Sequence, residues 1–405
     1  MWKGSNLIKS LALDFTSVCN LQCDYCYLYS KQDIKKEEVS TEELIETVLK
    51  CLSLFPNIDS VELWGGESTY NPERLYKFCK AMYAIGIKTW IPSTNGTLLH
   101  DYKHYEAWRY CNQVNTSQIS FDGNPKYHNK HRSNSFNRVV ENMKIVLRER
   151  VPVSLRTTYS FEDFLDSVNE NIIWYPKLYQ EFLDNNELDS EIVDRTFACQ
   201  PYKNKKFLMI YQEIDTIFPI EEAPFRAKLY RDYYKQLRDI VLAQVDNEVI
   251  FLPPYINDTI QALLDDKPIE VKSCGSFFSQ IYLHTSSGDI YPCLSQDVNS
   301  YQDIARLANI HTMEVNWAVV NSVRSFMLRR NKSCRDCLIQ PSCFGACYHQ
   351  TPDSDKSTAF LSYWNTANIT KCKFAHYIFD IVLETSQELI RLIDSQNIKS
   401  LPQGN

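Results

Sequence analysis

The chain has 405 residues, of which 44% are hydrophobic and 23% are charged. These values are ordinary for a folded globular protein, and they exclude a disordered chain, a collagen-like chain and an obvious membrane protein. The 43 Lys and Arg residues against 50 Asp and Glu residues give a net charge of −7. This balance argues against a general nucleic-acid binder, because phosphate contacts need clustered positive charge.

Apolar periodicity predicts strands and helices in alternation along the first 250 residues. The predicted strands are residues 9–15, 60–64, 88–93, 116–122, 152–159 and 206–212. The predicted helices are residues 41–55, 71–85, 101–110, 136–150 and 225–244. Residues 160–205 are long for one connection, so we expect a helix plus an insertion there. Alternation of this kind indicates βαβ units and a parallel sheet, and the expected fold class is therefore α/β.

The pattern changes near residue 270. Residues 280–293 contain a Ser-Gly-Asp turn between two strand-like runs, which predicts a β-hairpin. A cysteine-dense stretch follows and indicates a small domain whose folding depends on bound metal. The expected organisation is a first domain at 1–270 with an insertion at about 160–205, a second domain at 271–373, and a C-terminal helix and tail at 374–405.

The N-terminal segment has no secretory signal pattern, and no apolar run approaches the ~18 residues that a spanning helix needs. We therefore expect a cytoplasmic protein without a membrane segment. Thiols stay reduced in that compartment, so clustered cysteines indicate metal or catalytic sites rather than disulfides. Of the 14 cysteines, Cys51 and Cys79 fall in helix-period segments and are expected to be core residues.

Three cysteines, Cys19, Cys23 and Cys26, lie in one short segment directly after the first predicted strand. Three thiolates suit a [4Fe–4S] cluster in which one iron stays open to another ligand. The alternative is a zinc site, but zinc prefers four ligands and no fourth lies nearby in the sequence. Loops that follow strands are also where barrel enzymes build their active sites.

This C-x3-C-x2-C pattern, with Tyr25 before the last cysteine, resembles the cluster motif of the radical S-adenosylmethionine (SAM) superfamily. The resemblance implies that Cys19, Cys23 and Cys26 hold a [4Fe–4S] cluster whose open iron binds the amino and carboxylate groups of SAM. It also implies reductive cleavage of SAM to a 5′-deoxyadenosyl radical, which abstracts a hydrogen from the substrate. A flavodoxin- or ferredoxin-type electron donor is expected, and the backbone of Tyr25 is expected near the adenine.

Further motifs follow successive predicted strands. Trp64-Gly65-Gly66-Glu67 is similar to the GGE motif of that superfamily, and Ser93-Thr94-Asn95-Gly96, Ser120-Phe121-Asp122-Gly123 and Arg156 come after or on the next strands. Residues 125–132 resemble the matching stretch of peptide and sulfatase maturases. The implied fold is a partial (β/α)6 barrel of TIM type. The implied SAM-binding residues are Tyr25, Gly65, Gly66, Glu67, Ser93, Asn95, Ser120, Asp122 and Arg156.

A second group of cysteines lies in the C-terminal part of the chain: Cys274, Cys293, Cys334, Cys337, Cys343, Cys347 and Cys372. Their spacing resembles that of the SPASM extension of radical SAM enzymes, which carries two auxiliary [4Fe–4S] clusters. A zinc ribbon is the alternative. The resemblance gives auxiliary cluster I the ligands Cys274, Cys293 and Cys347. It gives auxiliary cluster II the ligands Cys334, Cys337, Cys343 and Cys372. Auxiliary cluster I then has three cysteines, so either an iron is open or a distant group such as Cys199 completes it.

Sulfatase maturases carry an Asp base directly after the cysteine that matches Cys293, but Leu294 stands there in this chain. A maturase function is therefore weakened. Other candidates for the base are Asp297, Tyr291, Asp122 and His128.

SPASM enzymes mostly modify ribosomally made peptides, so the resemblance implies a precursor-peptide substrate. The expected outcome is a thioether or cyclophane cross-link, followed in rank by backbone splicing with tyramine excision, and epimerisation is also open. The first predicted strand begins near residue 9, so the residues before it are too few for a domain that recognises a leader peptide. We therefore expect a separate leader-peptide recognition protein or leader binding by the barrel itself. The alternatives are a protein oxidase like the anaerobic sulfatase maturases, a radical SAM enzyme acting on a small molecule or RNA, and a non-enzymatic Fe–S or zinc scaffold.

Overall fold

The computed structural model describes residues 8–26, 38–113, 116–160, 162–214, 223–266, 280–291, 306–317 and 379–396. The helices are α1 (Thr41–Leu54), α2 (Pro72–Ala84), α3 (Tyr102–Cys111), α4 (Pro125–His131), α5 (Phe136–Arg148), α6 (Phe164–Leu183), α7 (Ser190–Thr196), α8 (Ala223–Leu242) and α9 (Ile256–Leu264), and residues 379–396 are also helical. The strands are β1 (Ser10–Thr16), β2 (Ser60–Gly65), β3 (Lys88–Trp90), β4 (Ser93–Thr94), β5 (Gln118–Ser120), β6 (Ser154–Tyr159), β7 (Cys199–Tyr202), β8 (Lys205–Leu208), β9 (Tyr211–Ile214), β10 (Val249–Phe251), β11 (Gln280–His284), β12 (Asp289–Tyr291), β13 (Ala308–Asn309) and β14 (Glu314–Val315). These elements confirm the expected α/β class.

The described residues fall into two compact units. The first unit takes residues from 1–120, 129–146 and 273–332, and the second takes residues from 121–128, 147–272 and 333–405. Each unit has its own sheet and its own core.

The first unit contains a seven-stranded mixed sheet with the strand order β14-β13-β12-β11-β1-β2-β3. Strands β11, β1, β2 and β3 run parallel, whereas β12, β13 and β14 continue the sheet in antiparallel pairs. Leu13 pairs with Leu63 on one side and with Leu283 on the other. The carboxyl ends of β11, β1 and β2 therefore meet at one edge of the sheet.

Helices cover one face of this sheet. Leu11, Leu13 and Phe15 alternate along β1 and are almost fully buried, and the Phe15 ring packs against Phe78 of α2 with 5.6 Å between centroids. Each such buried side chain contributes roughly 1.5–3 kcal/mol to folding. Because successive strand residues point to opposite faces, Asp14 projects from the face away from α2.

Local sequence sets the beginnings of these helices. Ser40 and Glu43 form a capping box at the start of α1, in which each side chain accepts a hydrogen bond from the other residue's backbone. At α2, the Asn71 side chain accepts from the backbone N–H of Arg74, and Pro72 occupies the first turn, where its missing N–H costs nothing.

The second unit contains a three-stranded sheet, β10-β8-β7, and a parallel pair of β6 with β9. Its core is rich in aromatic rings. Tyr175 of α6 stacks on Phe251 of β10 with 4.8 Å between centroids, and Phe164 at the start of α6 packs edge-on against Tyr159 of β6. These contacts fix α6 against two strands.

Several expectations about individual elements were wrong. The expected strand at 88–93 is two strands, because Pro92 has no N–H for a sheet ladder, and β4 pairs with β5 instead of β2. The expected strand at 206–212 is also two, β8 and β9. The expected parallel pairing is found for β1 with β2, β2 with β3 and β6 with β9, whereas β7, which was not predicted, pairs antiparallel with β8. The long segment at 160–205 holds α6, α7 and β7.

The helices α4 and α9 and the strands β10, β13 and β14 lacked a sequence signal strong enough to predict them. The hairpin in residues 280–291 is confirmed, and its β11 pairs in addition with β1, which is an unexpected join between distant parts of the sequence. Cys51 and Cys79 are fully buried core residues, as expected. No helix in the described ranges has both the length and the apolarity required to cross a bilayer.

Candidate active site

The loop after β1 carries Cys19, Cys23 and Cys26, all of which are half-buried free thiols. The loop folds back on itself, since the backbone N–H of Leu21 donates to Cys19 Sγ at 3.4 Å and that of Cys26 donates to the Cys23 carbonyl at 3.1 Å. Burial, which is the largest cause, and the negative charges of Glu67 and of the other two cysteines raise the pKa of the Cys19 thiol to about 12, while the hydrogen bond from Leu21 acts to lower it. The three thiols and Glu67 are therefore electrostatic neighbours.

The glycines after β2 form a tight turn against the start of this loop. The backbone N–H of Gly66 donates to the Thr16 carbonyl at 2.6 Å, and that of Glu67 donates to the Val18 carbonyl at 2.8 Å. A Cβ at Gly65 would lie 2.1 Å from the Thr16 oxygen, and one at Gly66 would lie 2.2 Å from the Val18 oxygen. Only glycine fits at either position, because no real Cβ approaches a carbonyl oxygen so closely.

The carboxylate of Glu67 is buried and fully engaged by protein donors. It accepts hydrogen bonds from the backbone N–H of Thr69 at 3.2 Å, from the Thr69 hydroxyl at 2.6 Å, from the Thr94 hydroxyl at 2.8 Å and from the backbone N–H of Asn95 at 2.7 Å. Both carboxylate oxygens take part, so the side chain ties the loop after β2 to the residues at the end of β4. Glu67 therefore holds these two segments in place relative to each other.

Asn95 connects the same loops to the cysteine loop. Its side-chain nitrogen donates to the Asn20 side-chain oxygen at 2.9 Å and lies 3.8 Å from Cys19 Sγ. Its side-chain oxygen accepts from the backbone and the hydroxyl of Thr97, and Thr97 in turn accepts from Asn20. The structure thus brings Cys19, Glu67 and Asn95 together.

Two serines of the proposed site also meet within the first unit. The hydroxyls of Ser93 on β4 and Ser120 on β5 are 2.9 Å apart, and both side chains are half-buried. Ser93 begins β4 and Ser120 ends β5, and these two strands pair in parallel.

Asp122 and Arg156 belong to the second unit. Asp122 is buried, its carboxylate accepts from the backbone N–H of Thr158 at 3.1 Å, and its own backbone N–H donates to His128 Nδ1 at 3.2 Å. The Arg156 guanidinium lies over the ring of Tyr211, 5.6 Å from its centroid. Asp122 and His128, both candidates for the base, are therefore held within one buried network.

Three residues that hold the loops together, Asn20, Thr69 and Thr97, were not predicted from the sequence, although each lies near a predicted motif residue.

The pair of Asp14 and His284 was also not predicted, and it lies toward the carboxyl ends of the neighbouring parallel strands β1 and β11. His284 Nε2 lies 3.8 Å from Asp14 Oδ2, and each side chain is about one-quarter exposed. Their partnership depends on the β1–β11 pairing, which the sequence pattern does not reveal.

The remaining predicted residues divide by location. Cys274, Cys293, Cys334, Cys337, Cys343, Cys347, Cys372 and Asp297 lie outside the described residues. Tyr291 is buried on β12. Cys199 lines a cavity of about 350 Å³ in the second unit, and the Tyr179 hydroxyl donates to its sulfur at 3.4 Å. Among the described residues, no three His, Cys, Asp or Glu side chains converge as a site for a metal ion.

The chemistry of the site residues in the first unit fits a [4Fe–4S] cluster that binds SAM. Three thiols on one loop are the donors that such a cluster takes, and three donors leave one iron corner for another ligand. The Gly65–Gly66 turn has backbone groups that no side chain covers. The polar side chains of Ser93 on β4 and of Asn95 directly after it lie nearby in the chain.

Comparison with known proteins agrees with this arrangement. Residues 13–170 match the model of the radical SAM superfamily. The chain is 25% identical over 366 residues to the cysteine-type anaerobic sulfatase-maturating enzyme of Clostridium novyi. This alignment covers 84% of this chain and 88% of that protein. It is 34% identical over 155 residues to the serine-type enzyme of Bacteroides thetaiotaomicron, covering 33% of this chain and 35% of that protein.

The fold is similar to that of native anSMEcpe with bound AdoMet, with a TM-score of 0.57, 18% identity, and coverage of 94% of this chain and 99% of that one. At this identity the likeness establishes the fold alone. The family match covers residues 13–170 and not the whole chain. The chain therefore contains a radical SAM domain at residues 13–170, and it is a radical SAM enzyme.

Proposed function

We propose that the chain is a radical SAM enzyme that modifies a ribosomally made precursor peptide. The observation that carries the proposal is the junction of Cys19, Glu67 and Asn95, which places a thiol loop, a glycine turn and a polar loop at one edge of the first unit's strands. The whole-length similarity to sulfatase-maturating enzymes supports a peptide or protein substrate.

In this proposal Cys19, Cys23 and Cys26 hold a [4Fe–4S] cluster at the end of β1. When bound, the cluster supplies one electron for the cleavage of SAM to a 5′-deoxyadenosyl radical. The protein's own part would be to position the groups: the Gly65–Gly66 backbone would hold the SAM amino group, and Glu67 fixes that turn through its hydrogen bonds to Thr69, Thr94 and Asn95.

The other SAM contacts in the proposal come from polar side chains. Ser93 and Ser120 lie on β4 and β5 of the first unit, and Asn95 follows β4, so that their hydroxyl and amide groups can bind ribose or carboxylate oxygens. The role of Tyr25 would be played by its backbone, and the SAM contacts of Asp122 and Arg156 stay predictions from the sequence.

The auxiliary [4Fe–4S] clusters and their ligands are also part of the proposal. Cys274, Cys293 and Cys347 would serve auxiliary cluster I, and the remaining four C-terminal cysteines would serve auxiliary cluster II. Further partners are a separate leader-peptide recognition protein and a flavodoxin- or ferredoxin-type electron donor. Remote contacts to a leader segment can supply the energy that positions the reacting residue.

The proposed outcome is a thioether or cyclophane cross-link, with backbone splicing as the next candidate. Oxidation of a protein side chain, as in a sulfatase maturase, is the second candidate function. It is favoured by the 88% coverage of the cysteine-type Clostridium novyi enzyme, and it is opposed by Leu294 at the position where the maturase base is expected.

The deciding experiment incubates the anaerobically reconstituted enzyme with SAM, dithionite and one of two peptides. The first peptide is encoded by a short reading frame beside the gene, and the second is a sulfatase segment with a central Cys or Ser. Mass spectrometry of a deuterated peptide shows whether the label enters 5′-deoxyadenosine. Label transfer from the precursor peptide supports the proposal, transfer only from the sulfatase segment supports the maturase function, and no transfer from either contradicts both.

A further inference from the structure

The cysteine loop is fastened from one side by the residues that end α4. Five contacts join residues 22–25 to residues 131–133, although more than 100 residues separate these segments in the sequence. The stretch around α4 is singled out in the sequence only by its resemblance to maturases, and that resemblance assigns no role to its individual side chains.

The first fastening is made by His131 and Asp24. His131 Nδ1 lies 2.7 Å from Asp24 Oδ2, and the backbone N–H of Asp24 donates to the His131 carbonyl at 3.3 Å. His131 is only 5% exposed. Asp24 lies between Cys23 and Cys26, so this pair holds the middle of the loop.

The second fastening is made by Arg132. Its guanidinium carbon lies 5.2 Å from the centroid of the Tyr25 ring, within the range of a cation–π contact. The Tyr25 ring also packs against the His131 ring at 5.6 Å. Arg132 is only 7% exposed, so its positive charge is kept against the ring of Tyr25, the residue before Cys26, with little screening by water.

The turn that follows α4 completes the arrangement. The backbone N–H of Gln22 donates to the Ser133 hydroxyl at 3.0 Å. Ser133 and Asn134 both adopt positive φ values, 52° and 55°, and the backbone N–H of Asn134 donates back to the Asn129 carbonyl at 3.1 Å. A turn held in this way presents its side chains in one fixed direction.

From these contacts we propose that His131 and Arg132 position the cysteine loop and that the charge of Arg132 favours the reduced state of the cluster bound there. This inference rests on the proposed ligand set of Cys19, Cys23 and Cys26. Reduction adds one negative charge to the cluster, and a fixed positive charge nearby stabilises that state by Coulomb attraction. Arg132 is a positioning residue here, because it touches the loop and not the substrate.

The test is a redox titration followed by electron paramagnetic resonance on the reconstituted full-length protein. The signal of the SAM-binding cluster is identified as the one that changes on addition of SAM. Arg132→Met removes the charge, and we expect the ratio of reduced to oxidised cluster at a fixed potential to fall on the order of tenfold, which corresponds to 59 mV for a one-electron couple. Arg132→Lys keeps the charge, so its potential is expected to stay near that of the wild type.

A matched control is Arg138→Met, which removes the same side chain from an exposed position on α5 and should leave the potential unchanged. His131→Phe removes the bond to Asp24 and is expected to lower the iron retained after gel filtration. If Arg132→Met does not fold, Arg132→Gln carries the same expectation for the potential.

The outcomes distinguish a failure of the proposed function from a failure of the proposed role of Arg132. A wild-type protein that binds no cluster, or whose spectrum ignores SAM, contradicts the proposed function itself. A wild type that responds to SAM, together with a neutral Arg132 variant of unchanged potential, overturns only the role of Arg132. Equal potential shifts in Arg132→Lys and Arg132→Met would likewise overturn the charge argument.

Discussion

The backbone N–H of Asn95 donates to the carboxylate of Glu67 at 2.7 Å, across 28 residues of sequence. This one bond joins the loop after β2 to the loop after β4, and Asn95 then reaches the cysteine loop through Asn20. Glu67 therefore acts on the site through other residues. Its replacement should disturb several loops at once.

Glu67→Gln is expected to lower the free energy of unfolding by about 2–4 kcal/mol, because the amide turns one acceptor oxygen into a donor that faces the existing donors. Urea unfolding followed by circular dichroism under nitrogen measures the change. Glu46→Gln is the control: Glu46 forms an exposed pair with Lys50 that is worth only about 0.3–0.5 kcal/mol. Equal effects of the two substitutions would contradict the buried network.

Gly66→Ala is expected to abolish SAM binding while the rest of the chain stays folded, since its Cβ would lie 2.2 Å from the Val18 carbonyl oxygen. Equilibrium binding of labelled SAM to the reconstituted protein measures the loss. Gly86→Ala is a useful comparison, because its φ of +81° costs about 1 kcal/mol with Ala but no atom lies within 4 Å of the new Cβ. Retention of wild-type SAM affinity in Gly66→Ala would show that the turn can relax.

Replacing Cys19, Cys23 and Cys26 together by Ala is expected to stop the formation of 5′-deoxyadenosine and to remove about four iron atoms per chain. Chromatography of the nucleoside and a colorimetric iron assay give the two readouts. Cys51→Ala serves as the control, because Cys51 is a fully buried residue of α1 and its loss should leave the iron content unchanged. Continued cleavage of SAM by the triple variant would disprove the assignment of the cluster ligands.

The raised pKa of Cys19 predicts a pH dependence for the cluster-free protein. Burial raises that pKa to about 12, and only the thiolate reacts with iodoacetamide. Alkylation of Cys19 should therefore be slow at neutral pH and should accelerate roughly tenfold for each pH unit up to about pH 10. Site-resolved mass spectrometry measures the rate, and a plateau already below pH 9 would show that the thiol is not buried in solution.

Local chemistry explains which features were predictable from the sequence. The cysteine spacing and the two glycines point to the proposed site because each reflects a requirement of its own segment. The α/β class follows from the alternation of strand and helix patterns. The capping box at Ser40 and Glu43 likewise marks the start of α1 from four residues alone.

Features that depend on distant pairing were not predictable. The parallel pairing of β1 with β11 joins residues about 270 apart, and no local pattern encodes such a partner. The same holds for Glu67 with Asn95 and for Arg132 with Tyr25, since each contact exists only once the strands have set the loops side by side. Pro92 was a readable signal that should have divided the strand at 88–93.

The central claim is that the loop of Cys19, Cys23 and Cys26 holds a [4Fe–4S] cluster that binds SAM. The most direct measurement is electron paramagnetic resonance of the reduced, reconstituted wild-type protein with and without SAM, compared with the triple-alanine variant. The account predicts a cluster signal that changes on addition of SAM in the wild type and is missing in the variant. A SAM-responsive signal that persists in the variant, or a well-folded wild type that never takes up iron, would contradict it.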